Sequence, residues 1–156
     1  MSRPVLEQLQ AQFGGSITQA NPEAATPTIQ VTREGVVEIC RYCKEQLGFD
    51  YLADLTAVEN GDDFRAVYLL YSIAEQRYLQ INLPLSAKDP SAPTVTGIWA
   101  GADWLEREAY DMFGIRFEGH LDLRRILMPP ETDFHPLRKS YVPELRLPEH
   151  KAEGAA

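Results

Sequence analysis

Residues 64–83 read FRAVYLLYSIAEQRYLQINL, and this stretch decides the fold of the chain. Residues 64–73 are rich in aromatic and aliphatic side chains, which is typical of a strand. In residues 77–83 the apolar Leu79, Ile81 and Leu83 alternate with polar neighbours, which predicts a second strand with one face toward water. Residues 49–58 form a third candidate strand, and the Asn-Gly-Asp-Asp sequence at 60–63 is a turn signal. The pattern predicts an antiparallel meander.

Helical patterns flank this meander. Pro4 and an apolar stripe predict a first helix that ends at Gly14, and β-branched residues at 16–19 and 28–32 predict a hairpin with a longer loop. Thr32 is a candidate N-cap for a second helix that ends at Gly48, and Thr96 is a candidate N-cap for a third. The third helix has an uninterrupted core stripe before its stop at Gly114: Ile98, Ala102, Leu105, Ala109 and Met112. The predicted fold class is therefore α+β, a mainly antiparallel sheet packed with about three helices, and residues 84–93 are predicted to be a loop.

The other faces of the third helix are charged. Asp103, Arg107 and Asp111 follow one another at spacings of four residues, so the arginine could pair with an acid on either side.

Residues 128–156 differ in character from the rest of the chain. Five of the 11 prolines lie there, and no apolar periodicity continues. Such a segment cannot build its own core. We therefore predict one α+β domain over residues 1–127, followed by an extended proline-rich C-terminal arm over 128–156. The arm is either solvated or laid on another protein, and composition alone favours the solvated state.

Composition excludes several classes of protein. The formal charge of −8 disfavours nucleic acid and anionic membrane surfaces as partners. The longest apolar run, residues 66–71, is far below the ~20 residues of a membrane-spanning helix, and a location in the cytoplasm is expected. The two cysteines, Cys40 and Cys43, are too few for an iron–sulfur cluster or a structural zinc site held by this chain alone.

No local pattern indicates a reaction centre. Cys40 and Cys43 match a bare C-x-x-C pattern, but they lie on the apolar stripe inside the second helix, where buried thiols are the better interpretation. Glu106 and Glu108 are two residues apart on a helix, so their carboxylates point in different directions and cannot share a substrate. The sequence contains neither a nucleophile-elbow pattern nor a phosphate-binding glycine loop.

Residues 103–146 are unusually dense in charge, with nine acids and seven bases among large apolar side chains. Two interpretations remain open at this point. The segment is either a solvated loop or a docking surface in which apolar anchors are combined with orienting charges.

The same segment resembles the thirty-kilodalton subunit family of respiratory complex I, the proton-translocating NADH:quinone oxidoreductase. The family's signature has Glu-Arg-Glu, then an acid and two hydrophobic residues, then His or Lys, a base and two aliphatic residues at fixed spacings. This chain matches it throughout, at Glu106, Arg107, Glu108, Asp111, Met112, Phe113, His120, Arg124, Ile126 and Leu127. Pro136, Leu137, Arg138 and Lys139 resemble the Pro-Leu-Arg-Lys that follows in the family, whereas residues 130–135 and Ser140 depart from its pattern.

The resemblance implies a domain of the C-type subunit in the peripheral arm of the complex, with no active site and no bound cofactor of its own. FMN, Fe-S clusters and quinone are then expected in partner subunits. The implied partners are the forty-nine-kilodalton-type and twenty-kilodalton-type subunits and other peripheral-arm subunits, with contact to the cytoplasmic side of the membrane only through the complex. Glu106, Arg107, Glu108 and Asp111 would orient one another and the turn at Arg124 and Arg125. Partner contacts would come from Phe117, Leu121, Leu123 and the Pro-Leu-Arg-Lys arm.

Two alternatives stay open beside this hypothesis. One is the equivalent subunit of a membrane-bound hydrogenase, or of a quinone reductase with another electron donor. The other is an independent thiol oxidoreductase that uses Cys40 and Cys43.

Overall fold

A computed structural model of the chain describes residues 3–143. Its elements in chain order are α1 (Arg3–Phe13), β1 (Ile17–Asn21), β2 (Thr28–Val31), α2 (Val36–Glu45), β3 (Tyr51–Asn60), β4 (Asp63–Ser72), β5 (Arg77–Pro84), β6 (Ser91–Pro93), α3 (Ala102–Phe113) and β7 (Arg116–Glu118). The α+β class, the three helices and the β3–β4–β5 meander are confirmed.

The main sheet has five strands in the order β1-β2-β5-β4-β3. Its pairs are antiparallel except for β2 and β5, which run parallel, so the sheet is mixed. On one face, side chains such as Tyr68, Leu70 and Ile81 join buried residues of all three helices in a single hydrophobic core. The opposite face, called the open face below, carries half-exposed side chains such as Val67 and Leu69 on β4.

Both cap predictions were wrong. A turn precedes α2, in which the carbonyl of Thr32 accepts from the amides of Gly35 and Val36, and Gly35 holds the N-cap position without a side-chain bond. The third helix begins at Ala102, six residues after Thr96, with Gly101 at the N-cap position, and the hydroxyls of Thr94 and Thr96 hydrogen-bond each other.

The predicted loop at 84–93 contains a strand. β6 pairs in parallel with β7, which follows α3, and the two form a small second sheet. The Arg33 guanidinium ties this sheet to the turn before α2, since it bonds Ser91 and forms an ion pair with Glu118.

Candidate functional site

Three charged residues of α3 are buried, whereas Asp103 and Glu108 of the same helix are not. Glu106 and Asp111 are fully buried, and Arg107 is nearly so. They are covered by residues 94–95, before the helix, and by residues 119–143, after it. We call residues 119–143 the tail segment. The helix ends at Gly114, whose positive φ of 77° gives the left-handed turn that starts the return of the chain.

Asp111 is the centre of this arrangement. Its Oδ2 accepts hydrogen bonds from three consecutive backbone amides, those of Ile126, Leu127 and Met128, at 3.0, 2.7 and 2.9 Å. Its Oδ1 lies 2.6 Å from Nη1 of Arg125. Burial alone would raise the pKa of Asp111, but the bonds from Met128, Arg125 and the other two amides outweigh it and lower the pKa below its usual value of 3.8. The carboxylate therefore stays ionised and fixes a stretch of backbone without regular secondary structure.

Two arginines hold the neighbouring turns. Arg107 donates from Nε to the carbonyl of Arg124 and from Nη2 to that of Arg125, both at 3.2 Å, and its guanidinium lies over the ring of Trp104. Arg125 donates from Nη2 to the carbonyl of Phe134 at 2.9 Å. The expected pairing of Arg107 with Asp103 or Asp111 is therefore replaced by bonds to the tail backbone.

Glu106 binds the segment that precedes the helix. Its carboxylate accepts from the hydroxyl of Thr94 at 2.6 Å and from the amide of Val95 at 2.7 Å. Burial raises the pKa of Glu106 above 4.5, and these two bonds only partly offset it. Glu108 is exposed, and its carboxylate forms no ion pair within residues 3–143. Of the four signature residues expected to orient one another, only Arg107 and Asp111 act together on the turn at 124–125.

The Pro-Leu-Arg-Lys residues contact the chain's own domain. The amide of Leu137 donates to the carbonyl of Met112 at 3.0 Å, while Arg138 lies over the ring of Phe64 and bonds the carbonyl of Ala87 at 2.8 Å. Arg138 Nε is 3.5 Å from Glu59, whose carboxylate also accepts from the amide of Lys139. The stretch 128–143 of the predicted arm thus lies against the domain, and residues 144–156 of that arm lie outside the described residues. The division at residue 127 stays a prediction.

Some of the expected contact residues are at the surface and others are not. Leu121 is 100% exposed, and Leu127, Leu137 and Val142 are also exposed. In contrast, Phe117 is buried in the core, and Phe113 and Leu123 pack against it. His120 lies with its ring 3.0 Å from the carboxylate of Asp103, and Arg124 pairs with the exposed Asp122. Of the apolar residues that were expected to contact partners, Leu121 and Leu137 are therefore the exposed ones.

The cysteines are buried and reduced in this structure. Burial, the neighbouring Cys43 and Glu106 raise the pKa of Cys40 well above its usual value, and burial raises the pKa of Cys43 to about 12. A thiol that stays protonated is a poor nucleophile, so this environment does not suit a redox dithiol.

Sequence reasoning missed three residues of the site. Glu59 reaches the tail segment from the end of β3, Nδ1 of His135 donates to the carbonyl of Asp111 at 2.9 Å, and the hydroxyl of Thr94 donates to Glu106. Thr94 lies in residues 93–96, a stretch that also resembles the family, whereas Glu59 and His135 lie in no motif. The one local signal was Gly114, the predicted stop of the helix. The chain turns back there, and this brings His135 close to the end of the helix.

Within residues 3–143, no group of three His, Cys, Asp or Glu side chains could hold a metal ion, and no helix is long and apolar enough to cross a membrane. The site is a set of buried charges that fixes an exposed apolar segment. This arrangement defines a class of protein, a small α+β domain whose exposed apolar side chains are carried by a segment that buried charges hold.

The comparisons identify the family. The family model described as "Respiratory-chain NADH dehydrogenase, 30 Kd subunit" matches residues 29–146. The C subunit of NADH-quinone oxidoreductase from Geotalea uraniireducens is 42% identical over 136 residues, which cover 85% of this chain and 83% of that protein. A solved trypsin-resistant fragment (1–134) of Nqo5 superimposes with a TM-score of 0.66 at 31% identity, over 78% of this chain and 98% of the fragment. The chain belongs to the family of 30 Kd subunits of respiratory-chain NADH dehydrogenase.

One relative is much longer than this chain, and the match covers only a part of it. The C/D subunit of NADH-quinone oxidoreductase from Acinetobacter baumannii is 38% identical over 154 residues, which cover 90% of this chain and 26% of that protein.

Proposed function

We propose that this chain is the C-type subunit of the peripheral arm of a proton-translocating NADH:quinone oxidoreductase. Electrons would pass from NADH through FMN and Fe-S clusters of other subunits to quinone, and this chain would carry none of these groups. The observation that supports the proposal best is the fit between the family match and the geometry. Within residues 106–127, the matched signature supplies Asp111 and Arg107, the side chains that hold the tail segment.

The proposed role is to position partner subunits. A segment without secondary structure keeps a defined shape only if its backbone groups are bonded, and here Asp111, Arg107 and Arg125 bond them. Leu121, Leu127 and other apolar side chains are then held at the surface at little further cost in conformational entropy on binding. Exposed aliphatic side chains among charges are typical of a protein interface.

The proposed direct partners are the forty-nine-kilodalton-type and twenty-kilodalton-type subunits. The double name of the Acinetobacter relative, the C/D subunit, supports the first of these, because two subunits joined in one polypeptide are held together in the assembly. A position on the cytoplasmic side of the membrane, peripheral and reached only through the complex, belongs to the same proposal.

The test is purification of the tagged full chain from membranes of the organism, with the chain's own gene replaced. We expect recovery of an assembly of several subunits with NADH:quinone reductase activity, identified by mass spectrometry. A Leu121→Asp, Leu127→Asp variant should lose recovery of the forty-nine-kilodalton-type subunit, because two carboxylates would be desolvated at the interface. Ala11→Asp, an exposed position on α1, is the matched control and should retain it.

Two results would overturn the proposal. Recovery of the wild-type chain as a free monomer would exclude a subunit role. Recovery with a hydrogenase, or with a donor module that does not oxidise NADH, would favour the alternative assemblies.

A further inference from the structure

The open face of the main sheet has a composition that the positioning of the tail segment does not explain. Tyr51, Tyr71 and Tyr78 lie side by side in register across β3, β4 and β5, and the rings of Tyr71 and Tyr78 are 4.6 Å apart. Tyr51 is 56% exposed and Tyr78 is 46% exposed. Three adjacent tyrosines at the surface are notable, because tyrosine is enriched at the energetic centres of protein interfaces.

The next two rows of residues on the open face, farther along β4 and β5 from the tyrosines, contain few charged side chains. Leu69 and Val67 follow Tyr71 on the same face of β4, and they lie beside Gln80 and Asn82 of β5. Along a strand with one face in water, apolar residues on the buried face normally alternate with polar or charged residues on the exposed face. The charged pair at the far end of β4, Arg65 with Asp63, neutralises itself. The open face is therefore partly apolar and, between Asp54 opposite Leu69 on β3 and the Arg65–Asp63 pair, uncharged.

The size of this face fits the central part of an interface. Four strands at a spacing of about 4.8 Å, and seven residues of β4 at about 3.3 Å each, give a projected area of roughly 14 by 20 Å. This is close to the few hundred Å² of patches that mark interaction sites, but it is below the ~800 Å² per partner of a standard interface. A partner must therefore also contact the rim.

The rim next to the tyrosines is acidic. Asp50, Asp54 and Glu75 are exposed, and none of them forms an ion pair within residues 3–143. Arg77, opposite Ser72 beside the tyrosine row, is half-buried and lies over the ring of Phe49. Unpaired carboxylates around a tyrosine-bearing centre are complementary to a partner with an apolar centre and lysine or arginine at its edge, and such cations also bind tyrosine faces.

We infer that the open face is a second docking surface, separate from the tail segment, for a protein subunit that presents an apolar patch with a basic rim. The tyrosine row and the tail contact of Glu59 lie at opposite ends of β3, about 26 Å apart along the strand, and the two surfaces approach each other where Asp54 and Leu137 line one cavity. The chain then bridges two neighbours instead of attaching to one. This inference rests on the proposed function, since the partner is expected within the same assembly.

The test is photocross-linking in the assembled complex. p-Benzoylphenylalanine replaces Tyr78, with Leu121 as the position for the first surface and Gln12, exposed on α1, as the matched control. We expect the probe at 78 to label one peptide of another subunit that contains lysine or arginine. Asp54→Lys with Glu75→Lys should lower that yield roughly fivefold, because repulsion replaces attraction at the rim.

A second measurement needs no substitution. Nitration by tetranitromethane should modify Tyr51 and Tyr78 in the isolated full chain, and the assembled complex should protect both at least about fivefold. Cross-links from position 78 to a second copy of this chain, cross-links to lipid alone, or equal nitration in both states would overturn the inference. So would a labelled peptide without basic residues.

The two proposals fail in different ways. If the wild-type chain recovers no complex, the proposed function fails. If the complex is recovered and Leu121 cross-links to another subunit while position 78 does not, only the second docking surface is refuted.

Discussion

Replacing Asp111 with asparagine tests whether the buried carboxylate holds the tail segment. The asparagine keeps the size of the side chain, and its amide oxygen can still accept from the amides of residues 126–128. Its amide nitrogen, however, takes the place of the oxygen that now lies 2.6 Å from Arg125, so two donors would face each other. Arg125 would keep its buried position without a charge partner, because its side chain is only 9% exposed.

The magnitude follows from this geometry. Removal of one partner from a buried ion pair costs about 3–5 kcal/mol, since the remaining charge stays desolvated. The loss is largest for the tail segment, which has no strand or helix beyond β7 within the described residues. A loss of about 3 kcal/mol raises the population of the detached segment roughly 150-fold, because each 1.4 kcal/mol is a factor of ten. The rest of the fold should be affected less.

Limited trypsin digestion of the full chain measures this population, since cleavage after Arg124 and Arg125 follows the fraction that is detached. Asp122→Asn is the matched control: it removes the same charge from an exposed pair with Arg124, which is worth at most about 1 kcal/mol. If Asp111→Asn were cleaved within threefold of this control, our assignment of the carboxylate as the main anchor would be refuted.

The same variant has a defined pH dependence. The pKa of Asp111 is lower in the folded state than its usual 3.8, so its contribution to stability is present above that value and is lost as the pH falls through the folded pKa. The difference between wild type and Asp111→Asn in the free energy of unfolding, measured in urea, should therefore be largest at neutral pH and shrink below about pH 4.

Three further predictions concern other parts of the site. The pKa of Glu106 is raised above 4.5, so its contribution is present below that value and falls as the pH rises; the cost of Glu106→Gln in urea unfolding should decrease from pH 4 to pH 7. Gly114→Ala should lower stability by about 1–3 kcal/mol, because a Cβ there meets positive φ and would lie 2.8 Å from the ring of His135. Cys40 and Cys43 should both resist Ellman's reagent at pH 8 in the folded chain and react fully in guanidinium.

Each of these has a contradicting outcome. A cost of Glu106→Gln that grows with pH would show that the ionised form is favoured. Gly97→Ala is the control for Gly114→Ala, since no atom lies within 4 Å of its added Cβ, and equal effects at the two positions would refute the strain argument. Fast labelling of either thiol in the absence of denaturant would support the hypothesis of a thiol oxidoreductase.

The fold was predictable where the signal is local. The alternation in residues 77–83 and the apolar stripe from Ala102 to Met112 state which face of each element is buried, and the structure confirms β5 and α3. The parallel pairing of β2 with β5 was not predictable, because it joins segments that lie far apart in the chain and parallel strands have no local sequence signal. β6 and β7 have three residues each, which is too short for a period to be read.

Part of the site was predictable in its residues, but its contacts were not. The signature named Glu106, Arg107, Glu108 and Asp111 as residues that orient the turn at 124–125, and in the structure Arg107 bonds the carbonyls of Arg124 and Arg125 while Asp111 pairs with Arg125. Their burial was missed because their partners are backbone amides and carbonyls, which every residue has and which leave no trace in a sequence. The spacing of Asp103, Arg107 and Asp111 then suggested pairs along the helix, whereas bonds to the tail backbone satisfy more groups at once.

An apolar core residue could not replace Asp111, although buried ion pairs are often no more stabilising than hydrophobic packing. Leucine at 111 would leave three buried amides without an acceptor, each at a cost of about 1–3 kcal/mol, and the Arg125 guanidinium without its charge partner. A tail segment that formed its own helix or strand would satisfy its backbone groups without Asp111. Its apolar side chains would then have to pack against the domain and would no longer be exposed. A carboxylate that binds the backbone leaves Leu121 and Leu127 at the surface, where a partner protein is able to bury them.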